Sequence, residues 1–290
     1  MINSVTFLLL SDYERHLVYN SKLKNSLYKF NEDEAIQYSH ALFENVVRDY
    51  KRAAKSMVSS ELANYWNINY SDLLTTITTA EGRFGNSAEL SYDAALFHKG
   101  VLLSNMNLRR NNILSSSDTT LIRAYERFCY EQRHNTDSVA VAEWEMMYYY
   151  SLHPEFTQGD VVPNWHDVKS SLSRNEVAIE FSIMQDLDEN AFYYVALVLD
   201  QKSSSPRLVR ICKQEELKAI LSGTKLNNGY STVYDQYDTK GVNVLYSMIW
   251  QPIETYIKSA KTIYFSPVDL LNFVSIENLH KYDGKKRIAE

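Results

Sequence analysis

Proline and glycine are scarce in this sequence, at 5 and 8 of 290 residues. So few turn formers leave little room for many short strands, and long helices are the expectation. Cysteine is scarcer still. Cys129 and Cys212 are too few and too far apart for a disulfide framework or a redox or metal-ligand spacing, which fits a reducing compartment. Positive charge is in deficit as well: the net charge is −6 and the isoelectric point about 5.7. That balance argues against nucleic acid as the main partner, because phosphate binding wants a basic face. Long apolar runs are absent. The longest near the start, Val5 to Leu10, is too short for a signal-peptide core and lacks a cationic flank. Nothing approaches the roughly 20 residues of a membrane span. The expectation is a cytoplasmic protein with no membrane partner.

What is present is ordinary globular material. Hydrophobic residues make up 45% and charged residues 23%, and the length suits about two domains with a sizeable core. Residues 11–153 read as helix after helix. Ser11 and Glu14 have capping-box spacing, and Asn31 with Glu34 repeats the start signal. Apolar stripes at helical spacing follow: Tyr13, Leu17, Leu27 and Phe30; Ile36, Phe43, Val47, Tyr50 and Ala54; Leu90, Ala94, Phe97 and Val101; Leu121, Tyr125 and Phe128. A last helix carries Val141, Trp144, Tyr148 and Leu152 before Pro154 stops it. No repeat of roughly 34 residues recurs within the chain.

After a polar linker the texture changes. Asn164 caps a short helix with Trp165, Val168 and Leu172. Strict alternation over Val177–Ile183 predicts a strand, with Val177, Ile179, Phe181 and Ile183 on one face and Ala178, Glu180 and Ser182 on the other. Phe192–Leu199, apolar almost throughout, predicts a strand covered on both faces. Arg207–Cys212 is a third strand, and short loops make these three antiparallel neighbours. Gln214–Leu221 and 241–259 read as helices, the second bringing Trp250 against the sheet. Lys261–Ser266 is a fourth strand that follows a long helical excursion, so it should pair in parallel. This half is of the α/β class with a mixed sheet.

An ordered series of segments in this half resembles the start of a CHAT domain, the caspase-like domain associated with tetratricopeptide repeats in bacterial proteins. The series runs Trp165, Val168 and Leu172; AIEF at 178–181; YYVALVL at 193–199; Pro206; IWQPI at 249–253; IYFSP at 263–267; and LLNFVSIENL at 270–279. Upstream, LSYDAALFHKGVLLSN at 90–105 and FLLLSDYERH at 7–16 are similar to the helical segment that precedes such domains. The resemblance implies an all-helical platform domain over residues 1–158, which binds protein or peptide partners. It implies an incomplete caspase-like α/β domain over 159–290, with no cofactor. Two departures stand out. The family has Asp-Gly after its Ser-Pro, where this chain has Val268-Asp269, losing a glycine that permits positive φ; and Ser275 replaces a proline.

In the resembled family a His-Gly and a Cys, each ending a core strand, follow the segment matching Leu270–Leu279. The resemblance therefore implies a cysteine endopeptidase whose catalytic pair lies outside residues 1–290, or an inactive scaffold of the same fold. Within the chain no catalytic, cofactor or metal residue is assigned. Cys129 sits beside Phe128 on a helix, and Cys212 ends a strand with no His-Gly on a neighbour, so both read as inert thiols. The histidines at 16, 40, 98, 134, 153, 166 and 280 show no zinc spacing. Asp186, Asp188 and Glu189 read as a solvated hairpin tip, Glu180 as a structural hydrogen-bonding group, and MMYYY at 146–150 as core and rim of one helix. Arg109-Arg110 and Lys285-Lys286-Arg287 read as solvated surface.

Overall fold

The computed structural model describes residues 11–85, 88–157, 162–222, 244–276 and 279. The protein is mostly helical, with a small mixed four-stranded sheet towards the C-terminus. Its helices are α1 (Asp12–Tyr28), α2 (Glu32–Ser56), α3 (Ser59–Tyr70), α4 (Leu73–Phe84), α5 (Glu89–Ser115), α6 (Thr119–His134), α7 (Val139–Ser151), α8 (Trp165–Ser171), α9 (Gln214–Ser222) and α10 (Glu254–Ile257). The strands are β1 (Glu176–Asp186), β2 (Ala191–Asp200), β3 (Arg207–Lys213) and β4 (Thr262–Ser266). Among the described residues no helix is long and apolar enough to cross a membrane.

Local chemistry sets the helix starts. Ser11 and Glu14 close the capping box at α1, the Ser11 N–H donating to Glu14 at 2.8 Å and the Glu14 N–H to Ser11 Oγ at 3.2 Å. Asn31 accepts from the Glu34 N–H at 3.2 Å, and Asn164 with Asp167 forms a complete capping box at α8. α7 ends at Ser151, three residues before Pro154.

Packing divides the chain into two compact units, each drawn from separate segments. The first takes Met1–Lys22, Gln37–Ser71 and Phe97–Val162; the second takes Leu23–Ile36, Asp72–Leu96 and Pro163–Glu290. The chain passes between them within α1, α2 and α5. The unit that holds the sheet therefore includes two stretches from before residue 158, a discontinuity that periodicity along the chain does not reveal.

In the first unit Tyr50, Trp66 and Phe97 meet edge-to-face at centroid distances of 5.4–5.6 Å. A second cluster joins Val58, Ile113, Leu121, Met146, Met147 and Tyr150. Several stripes face differently from their sequence expectation. On α7 the bulky residues Val141, Trp144, Tyr148 and Leu152 are 50–62% exposed, and the buried face is Ala142, Glu143, Met146, Met147 and Tyr150. On α1 Tyr13, Leu17 and Phe30 just beyond it are exposed too, while Asp12, His16, Leu23, Ser26 and Leu27 are buried. Ionic and polar anchors choose these faces. The Glu143 carboxylate accepts from the Ser59 N–H at the start of α3 at 2.8 Å, and Asn45 donates to the Asp12 carbonyl at 2.7 Å. Arg109 is not solvated surface. It is 5% exposed and donates to the carbonyls of Ala54 and Met57, closing the C-terminal end of α2.

The second unit is built on the sheet, in the order β3-β2-β1-β4. β1 pairs antiparallel with β2, β2 antiparallel with β3, and β1 parallel with β4, from Glu176 opposite Thr262 to Glu180 opposite Ser266. Val177, Ile179 and Phe181 share one face with Tyr194, Ala196 and Val198, under α9 and the segment bearing Ile249, Trp250 and Ile253. On the other face Ser182 meets Thr78 of α4 through a buried hydroxyl pair at 2.9 Å. Gly82 of α4 lies against the Met184 side chain of β1, whose sulfur would have to shift to admit a Cβ there. The helix expected over 241–259 is broken where it is described. A π-turn at Tyr246–Trp250 leads to a 3₁₀ turn at Gln251–Ile253 and then α10. Pro252 offers no N–H to the Met248 carbonyl, and the Gln251 N–H bonds instead to Tyr246, five residues back.

Candidate functional site

β4 is an outer strand among the described residues, and its side chains are poorly covered. Tyr264 is 53% and Phe265 37% exposed. Alongside it a groove of about 530 Å³ runs between α8 and the β1–β4 pair, floored by Leu96, Val168, Leu172 and Ala178 and edged by Asp167, Glu176 and Glu180. Here the sheet offers backbone, apolar surface and titratable groups together.

The acids here are largely committed to structure. Asp167 completes the α8 capping box. The Glu176 carboxyl is held below its usual range by the Ser173 N–H, which donates at 2.8 Å, with Tyr264 adding a weaker bond at 3.3 Å. Glu180 is half-buried near Tyr92, whose hydroxyl is pushed up by burial and then by the Glu180 charge. The groove's lining has two serines, Ser171 and Ser266, but no cysteine or histidine, and the Ser171 hydroxyl donates to the Asp167 carbonyl. The groove suits capture of a chain segment along an open strand edge rather than bond-making.

Directly after β4 the chain turns at Asp269, which adopts φ 49°, in the left-handed region. Its carboxylate accepts from Tyr194 Oη at 2.6 Å and Gln214 Nε2 at 2.8 Å. Burial pushes that carboxyl up, but the two hydrogen bonds outweigh it and hold it below the usual range. Thus Asp269 itself takes a positive φ, the conformation glycine adopts most readily. Ser275, the other departure, is described as half-buried and lies just beyond the 3₁₀ turn Asp269–Phe273.

The remaining candidates lie apart from this edge. Cys212, on β3, is 6% exposed in the apolar cluster, and burial, with the nearby Glu216 charge, pushes its thiol up to about 12. Such a thiol is protonated at neutral pH and no nucleophile. Cys129 is half-buried on α6 and its carbonyl accepts from Arg133. Among the described residues no histidine bonds to either thiol; His280 lies outside them. His153 instead bridges two carboxylates, Glu155 at 2.8 Å and Asp118 at 3.1 Å, and these bonds raise its pKa.

The hairpin tip is a charge network rather than a bare solvated turn. Asp186 accepts from the Asp188 and Glu189 N–H groups and pairs with Arg210 at 2.8 Å; Asp188 pairs with Arg83; Glu189 pairs with Lys213 at 2.7 Å. In MMYYY, Met146, Met147 and Tyr150 are core, Tyr149 is half-buried and Tyr148 exposed, as a helix spanning core and rim requires. The cluster 285–287 lies outside the described residues.

Three polar sites carry no sequence signal at all: Arg109 on the end of α2, Asp49 taking hydrogen bonds from both Tyr65 and Tyr70, and Glu81. Burial pushes Glu81 up to about 7, against the N–H groups of Leu90 and Ser91, which donate to it at 3.1 and 2.7 Å. Each is legible only once helices are packed. Searches of protein-family models, of curated proteins and of solved structures give no match to this chain.

Proposed function

We propose that the chain is the helical platform and the opening strands of a CHAT-type, caspase-like cysteine endopeptidase, working in the cytoplasm on a peptide substrate. The observation that carries the reading is the turn after β4. There Asp269 adopts φ 49° at the position where the resembled motif has glycine, so a conformation that glycine would permit is taken up without it. The parallel pairing of β1 with β4 and the open outer edge of β4 support it, since a strand bearing a catalytic residue needs such an edge to extend the sheet. Buried Cys212 is no candidate for the nucleophile, which this reading expects outside residues 1–290. The chemistry asks for no cofactor. A thiolate attacks the peptide carbonyl, an imidazolium returns its proton to the leaving amine, and water releases the acyl group.

The test is the open reading frame past Glu290. The expected result is a His-Gly and, one strand later, a cysteine. In the expressed longer protein, a thiol-reactive peptide probe should label that cysteine and neither Cys129 nor Cys212. Labelling of Cys129 or Cys212 would overturn the assignment. A frame with the strands but neither residue would replace it with the second reading, a scaffold of the same fold. The apolar stripe left exposed on α7 favours a partner-binding role in both readings.

A further inference from the structure

We infer that the outer face of α2 in the first unit is a docking groove for an acidic, amphipathic peptide segment of a protein partner. This rests on the platform role proposed above and names the chemistry of what the platform takes.

The groove measures about 690 Å³ and is lined by Phe43, Glu44, Val47, Arg48, Lys51, Arg52, Lys55 and Val162. Helical spacing builds it. Glu44, Arg48, Arg52 and Lys55 form one exposed row, and Phe43, Val47 and Lys51 form a half-buried row beside it. The floor is apolar and the wall basic. From Arg48 to Lys55 the helix rises about 10 Å, two turns of a partner helix or a few residues of extended peptide.

Two of the cations are fixed in place before any partner arrives. Asp12, with a side chain only 1% exposed, pairs with Arg48 at 3.5 Å and also with Arg52 and Arg15. One carboxylate serves three guanidinium groups, yet the Arg48 and Arg52 side chains stay 55% and 64% exposed. Among the described residues neither Lys51 nor Lys55 pairs with a carboxylate. Four cations against Glu44 and the shared Asp12 leave the groove positive in a chain of net charge −6. Such a patch steers and orients an acidic partner.

Nucleic acid fits less well. Single-strand grooves pair a phosphate-tracking row of cations with exposed aromatic faces for stacking. Here the only lining aromatic, Phe43, is half-buried and meets Phe97 edge-to-face at 5.7 Å. Aliphatic Val47 and Val162 suit leucine-like side chains between carboxylates.

The experiment uses the full chain and three fluorescein-labelled probes: a peptide of glutamate pairs separated by leucine, the same peptide with lysine for glutamate, and a single-stranded oligonucleotide of matching charge. Fluorescence anisotropy should show that the acidic peptide binds, the basic one does not and the oligonucleotide binds more weakly. Raising salt should weaken the complex without abolishing it, because part of the contact is apolar. The double variant K51E/K55E should lower affinity by about tenfold or more. Because Lys55 lies in the last turn of α2, where a glutamate opposes the helix dipole, Lys51→Gln with Lys55→Gln gives a second pair without reversed charge. No binding of the acidic peptide, equal binding of the oligonucleotide, or affinity untouched by both pairs would each overturn the inference. None of these outcomes bears on a cysteine beyond residue 290, so this failure is separable from that of the peptidase reading.

Discussion

Replacing Arg109 by methionine tests whether the first unit depends on a buried cation that looks, in sequence, like surface. Methionine keeps most of the apolar stem and removes only the donors. Two carbonyls then lose their partner. That of Ala54 belongs to a residue 5% exposed, and that of Met57 to one half-buried and open to rehydration. An acceptor stranded in the interior costs about 1–3 kcal/mol, so the first costs about 2 and the second about 1. Loss of a positive group at a helix C-terminus adds a few tenths more, giving a total near ~3 kcal/mol. Arg109→Lys, which reaches one carbonyl at a time, should lose about half as much. Urea unfolding gives the total, and amide exchange over residues 53–57 should locate the loss at the end of α2. An Arg109→Met protein within about 0.5 kcal/mol of wild type, with no faster exchange in that turn, would refute the capping role. Because Lys51, Arg52 and Lys55 sit on the turns that Arg109 closes, the same variant should also loosen the proposed peptide groove.

Glu81 should make the second unit less stable as pH rises. Its folded pKa, about 7, lies above the ordinary 4.5, so the folded state holds the proton more tightly and stability falls between about pH 4.5 and 7. The expected loss across that window is about 3 kcal/mol, and Glu81→Gln should abolish that slope in urea melts; a slope unchanged in the variant would show that the group does not titrate as its burial demands. Trp144→Ala, half-exposed, should cost less than about 1 kcal/mol, whereas Trp66→Ala, 2% exposed among three aromatic rings, should cost about 3–5. Equal losses in thermal melts would mean that the faces of α7 are misassigned.

The sheet was the most legible part of the chain. Alternation at Val177–Ile183 and the apolar run at Phe192–Leu199 have few alternative readings, and the long helical excursion before Thr262 leaves parallel pairing as the short route back. Helix existence was equally legible, through caps at Ser11, Asn31 and Asn164. Helix orientation was not. α7 is apolar around most of its circumference, so periodicity cannot choose between the Trp144 and Met146 faces. Glu143 decides it by accepting from the Ser59 N–H at the start of α3 from inside. The same holds for Asp12, whose burial turns the apolar Tyr13 and Leu17 outwards. Where a buried polar group has a distant partner, hydrophobic pattern alone points to the wrong face, because the hydrogen bond fixes the rotation of the helix.

Asp269 shows the converse, a residue with a side chain holding a conformation that usually favours glycine. A left-handed residue other than glycine costs about 1–2 kcal/mol, less for aspartate, which tolerates that region. The carboxylate recovers this by drawing Tyr194 from β2 and Gln214 from the start of α9 onto the turn. Glycine at this position would permit the backbone but drop both bonds. The position after β4 therefore demands a turn rather than a residue type. β4 ends at Ser266, in register with Glu180, and that turn sets the direction in which the chain leaves the strand.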